Sequence, residues 1–220
     1  MPDGIAWIGA HSTTDKSSTL PGMLGGISIT CARGVDADEF LIALGADFDE
    51  LADRTPYKDL VVPAGRPGRS VPRVKPVMYG THGDWVYVLE DWGMATWSTG
   101  YRQVESMRPC PDEEVICLTM DWWNPPSTII HAPGDGRAWR ADFGETTGRS
   151  SALDAALHAA GAVFPSIPDE EEAVVMAYYE EHRERLPGAV FSGVGAYCGL
   201  SIDSSAVQAG ELPSLLIPMV

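Results

Sequence analysis

The chain has 220 residues, of which 45% are hydrophobic; that is enough for one sizeable core or two small ones and too much for a disordered chain. Thirty-one Asp and Glu oppose 15 Lys and Arg, a formal charge of −16, so the field of the protein repels phosphate backbones and anionic bilayers. Nucleic acid and membrane are thereby excluded as partners, whereas a basic protein suits the charge. Cys31, Cys110, Cys117 and Cys198 have neither the paired spacing of a zinc site nor a redox CxxC. They are read as free thiols, with no metal and no cofactor expected. Without a basic-then-apolar leader or a run of about 18 to 20 apolar residues, the sequence predicts a soluble cytoplasmic protein.

In chain order, residues 1–25 are rich in Ser, Thr, Gly and Pro and read as a flexible N-terminal arm outside the core. GISITCARG, 26–34, alternates Ile27, Ile29 and Cys31 on one face and predicts a strand. DADEFLIALGAD, 36–47, follows at helical spacing, with Asp36 as N-cap, Asp38 and Glu39 in the first turn, Phe40, Leu41 and Leu44 as the apolar stripe, and Gly45 as the stop. Residues 48–60 hold one more helical turn, and the proline-rich, locally basic stretch 61–76 reads as a linker. That linker divides possible sub-lobes at 26–60 and 72–220 within a domain spanning 26–220.

VMYGTHGDWVYVLEDWG, 77–93, predicts a hairpin with a turn at THGD; its second strand is apolar on both faces and therefore central. WSTGYRQVESM, 97–107, predicts a short helix with Val104 and Met107 facing inward, and VICLTMDWW, STIIHA and RAWRADF predict three further strands. Past Gly148 the period lengthens from two to about 3.6: SSALDAALHAAG, 150–161, and DEEEAVVMAYYEEHRERL, 169–186, predict helices, the second bracketed by Pro168 and Pro187. The tail from Phe191 is apolar but broken by glycine and proline, which suggests short turns laid across the body. Short connections rule out parallel crossovers, so the expected fold is α+β, a mainly antiparallel sheet with helices packed on one face.

The segments ITCARGVDADEFLIALGAD, GDWVYVLEDWG, EVICLTMDWW…APGDGRAWRADFG and YCGLSIDSSAVQAGELPSLLIP, in that order over residues 26–218, resemble a family of actinobacterial proteins catalogued only as a domain of unknown function. The resemblance implies a shared fold and a bacterial origin, and it brings no activity. Where that family commonly has an Asn-rich turn after its middle strand, this chain has Asp121-Trp122-Trp123-Asn124-Pro125-Pro126.

Few constellations point to chemistry. His82-Gly83-Asp84 reads more simply as a hairpin turn than as an oriented base. Gly22 to Gly26 precede a strand, where a dinucleotide fingerprint needs them after one. GETTGR, 144–149, lacks the phosphate-loop lysine, so helix capping is its plainer reading. His11, His82, His131, His158 and His182 show no metal spacing, and no serine stands in a G-x-S-x-G elbow; no catalytic residue is assigned and the reading leans away from an enzyme. What remains is acid beside aromatic: Glu90 and Asp91 between Trp85 and Trp92, and Asp121 before Trp122 and Trp123. These seven residues are the candidate binding site. Adjacent strand residues leave on opposite faces, so at most one of Trp122 and Trp123 enters the core and the other is expected to be exposed. The function expected is an acidic protein-binding module of the immunity or inhibitor type that docks a basic partner. The alternative is a small enzyme or ligand-binding protein of specialised metabolism.

Overall fold

The structure is a computed structural model and describes residues 4–14, 25–61, 74–98, 112–121, 126–165 and 172–218. Seven strands form one antiparallel sheet in the order β6-β5-β4-β1-β3-β2-β7: β1 Gly26–Arg33, β2 Val74–His82, β3 Trp85–Asp91, β4 Glu114–Asp121, β5 Thr128–Pro133, β6 Trp139–Asp142 and β7 Ser214–Pro218. β1 pairs with β3 and β4, so residues on either side of the basic connector share one sheet. All seven residues of β3 are buried, as its two apolar faces predict.

The pleat sorts the core into two layers. Ile27, Ile29, Leu89, Ile116 and Leu118 point to one face, where helices α1 (Ala6–Thr14), α4 (Ala152–Ala159), α6 (Leu186–Cys198) and α7 (Ser204–Gln208) cover them. Val77, Val86, Val88, Val115 and Ile130 point to the other and meet Phe40 and Leu41 of α2 (Ala37–Ala43), its C-cap Leu44, and Leu51 of α3 (Phe48–Asp53). The longer packed helices thus share one face, and two short ones close the second. Helix α5, Glu172–His182, joins the body through the Phe164 ring, which meets Tyr178 and Tyr179 edge-on.

Three expectations need correction. The N-terminal segment is not wholly an arm, because Ile5 and Ile8 are fully buried and α1 packs along α6. Gly9 permits this: a Cβ there would stand 2.3 Å from the Pro187 carbonyl oxygen. The tail begins not with turns but with α6, a 13-residue helix; Pro187 sits in its first turn, where a missing N–H costs nothing. Gly193 and Gly195 let the α6 backbone approach Leu157 and Ile5 closely. Finally, the last residues of the basic connector belong to β2, and Lys75 among them is buried. Of the predicted 97–107 helix, only the turn at 96–98 is described; Val104 and Met107 lie outside the described residues. No helix among the described residues is long and apolar enough to cross a membrane.

Candidate functional site

The four candidate residues whose side chains are described, Trp85, Glu90, Asp91 and Trp92, do not form one surface. Trp85 is 3% exposed, with its ring edge-on to Tyr197 of α6 at 6.2 Å. Glu90 and Asp91 are buried as well, at the end of β3. Strand alternation sends them apart. Glu90 enters the α2 side, where Lys75 Nζ lies 2.7 Å from its Oε1 and Thr96 donates its backbone N–H at 3.0 Å and its hydroxyl at 2.6 Å. Asp91 enters the other side, toward the Tyr57 hydroxyl at 3.5 Å. Two carboxylates on opposite faces of a sheet cannot share a substrate. Of these four Trp92 alone is open, 50% exposed, at φ 66°, with its ring lying against Gly25, where a Cβ would come within 2.1 Å of it. Asp121 closes β4 opposite Gly26; Trp122 and Trp123 lie outside the described residues.

Glu90 terminates a polar row. Thr128, Thr119, Ser28 and Glu90 are successive register partners across β5, β4, β1 and β3 and therefore share a face. One register step away, Thr30 donates to the Cys117 thiol at 3.6 Å, and burial pushes that thiol up to about 12. Lys75 also donates to the Met94 carbonyl. With its polar atoms satisfied and almost no solvent contact, the Lys75–Glu90–Thr96 centre pins residues 94–96 to the sheet.

A second cluster escapes sequence reading. Glu114, at the start of β4, accepts from the Tyr197 hydroxyl at 2.6 Å and from His131 Nε2 at 3.0 Å through Oε1, while its Oε2 stands 3.6 Å from Arg33. Burial together with the Glu114 carboxylate raises the Tyr197 phenol far above its ordinary range. His131 Nε2–H faces the carboxylate, and its Nδ1 is buried without a partner among the described residues. Arg33 in turn holds Asp84 at 2.8 Å and keeps that carboxyl below its usual range, so Asp84 is an ion-pair partner in the turn after His82 and not the orienter of a base. Glu114 and His131 are diagonal neighbours across β4 and β5; only the strand register reveals the pairing. Among the described residues, no three His, Cys, Asp or Glu side chains gather to hold a metal.

The open acidic surface lies on α2 and α3. Both helices begin with D-x-D-E, Asp36-Ala37-Asp38-Glu39 and Asp47-Phe48-Asp49-Glu50. Asp36 accepts from the Asp38 and Glu39 N–H groups, and Asp47 from that of Asp49, satisfying free donors and complementing the positive helix ends. Glu50 reaches further and accepts from Leu216 N–H at 3.2 Å on the edge strand β7. Eight acidic residues stand between Asp36 and Asp59 against Arg54 and Lys58. Capping does not account for the apolar groups among them: Phe48 is 71% exposed and Ile42 43%, with Val61 at 81% just beyond.

Compared with known proteins, the chain matches no family model, no curated protein and no solved structure.

Proposed function

We propose that the protein is an acidic docking module, of the immunity or inhibitor type, that engages a basic protein in the cytoplasm through the outer face of α2 and α3. The observation that carries this reading is Phe48, exposed over 71% of its surface on a helix ringed by carboxylates. An aromatic anchor with surrounding charge of one sign is how an interface combines burial energy with steered association. Acids used for capping would need no such neighbour. Three buried free thiols, Cys31, Cys117 and Cys198, fit a reducing compartment. The alternative, a pocket built on Glu90, Asp91 and the tryptophans, draws no support from side chains that leave opposite faces of the sheet.

The test is a comparison of captures from native lysate by the tagged wild-type chain, by Phe48→Ala and by Asp49→Lys/Asp53→Lys. These positions leave Asp47 at its cap and Glu50 on the sheet edge. A basic protein retained by wild type at low salt, weakened by Phe48→Ala and lost with the charge-reversed variant is expected. Identical captures from all three would remove the docking face.

A further inference from the structure

We propose that the groove between the end of β6 and helix α5 is a binding site for an organic cation, an alkyl ammonium or alkyl guanidinium group. The groove encloses about 610 Å³, within the range of small-ligand sites. It lies at the β6 edge, whereas α3 packs on β7 at the opposite edge, so the proposal is independent of the docking face. The floor is built: Phe164 N–H donates to the Gly144 carbonyl at 2.7 Å, and the Phe164 ring lies against Gly144, where a Cβ would come within 2.8 Å. Gly144, at φ 99°, supplies both the turn and the room.

The lining holds two carboxylates, Asp142 and Glu145, and no Lys or Arg, with His158 as its one imidazole. Among the described residues the carboxylate of half-buried Asp142 has no hydrogen bond or ion pair, and Glu145 accepts only the Asp142 backbone N–H, at 3.3 Å. Phe164 and Tyr179 share the lining, ring centroids 5.6 Å apart and edge to face, with Tyr179 42% exposed. A half-buried carboxylate without a counter-ion beside open aromatic rings favours a cation that carries apolar surface: the charge meets Asp142 and Glu145, and the stem lies against the rings. An anion is disfavoured even at the adjoining recess of about 330 Å³ by the α4 N-terminus. There the Asp154 carboxylate already takes the Thr147 and Ser151 N–H groups.

The full chain is titrated with n-butylguanidinium and n-butylammonium, with n-butanol as the uncharged control, following the amide shifts of Gly144, Glu145 and Thr146 by NMR. Saturable shifts with both cations and not with butanol are expected, with affinity reduced about tenfold in Asp142→Asn/Glu145→Gln and several-fold in Tyr179→Ala. Dispersed spectra of the variants show that they remain folded. A Gly-Arg-Gly tripeptide added as a further arm separates the sources: tighter binding than butylguanidinium assigns the cation to a protein side chain, and weaker binding to a free small molecule. Shifts that butanol reproduces, or affinities unchanged in the double variant, would overturn the site.

Discussion

Replacing Lys75 by Met tests the central claim about the buried sheet face. Lys75 Nζ is 2.7 Å from Glu90 Oε1, an attraction of about 6 kcal/mol at an effective dielectric of about 20. Desolvating both ions cancels most of it, so the intact pair adds little net stability. Removing only the cation is different, because it leaves a fully buried carboxylate, and such changes cost about 3–5 kcal/mol. Thr96 still donates through N–H and Oγ–H, which places the expected loss near the lower end, about 3 kcal/mol, a large share of a typical domain's stability. Adding Glu90→Gln removes the orphaned charge while keeping an acceptor for Thr96, and is expected to restore about 2 kcal/mol. Urea unfolding of wild type, both single variants and the double variant closes the cycle. A loss below about 1 kcal/mol for Lys75→Met, or a double variant no more stable than that single one, would refute the reasoning.

Other consequences follow from the same geometry. Asp36→Ala removes the acceptor of two N–H groups at the start of α2 and is expected to cost about 1 kcal/mol in urea unfolding, with Asp36→Asn losing less. Burial pushes the Asp154 carboxyl up, but the hydrogen bonds from Thr147 and Ser151 outweigh it and hold the group below its usual range. Its contribution is therefore complete above the unfolded carboxylate value, near pH 4, and fades as pH falls through the lower folded value; Asp154→Asn should flatten that part of the stability–pH curve measured by chemical denaturation. In a Cys110→Ser background the three buried thiols, Cys117 among them at about 12, should resist a thiol reagent at pH 8 and label only at the rate of unfolding; fast labelling of the native protein would contradict the packing.

Local signals in the chain were sufficient for much of the fold. The alternation of β1, the Asp36 cap, the hairpin turn at Gly83 and the apolar stripe of α4 are each written within a few residues, because pleat, cap and turn depend on near neighbours. The antiparallel α+β class follows from short connections alone. Helices α1 and α6 were hidden for a physical reason: their contact is made by glycines meeting backbone, so neither shows a strong apolar periodicity, and Pro187 reads as a stop until it is seen in a first turn. Site residues divide the same way. Sequence located acid beside aromatic, and strand alternation already separated Glu90 from Asp91; that both turn inward was decided by Lys75, Thr96 and Tyr57, which only the tertiary structure brings to them. The Glu114–His131–Tyr197 cluster depends on strand register and on where α6 ends. Composition and local pattern thus determined the class of fold and the acidity of the protein, whereas burial, a property of the whole packed chain, decided which of its acids and aromatics remain free to meet a partner.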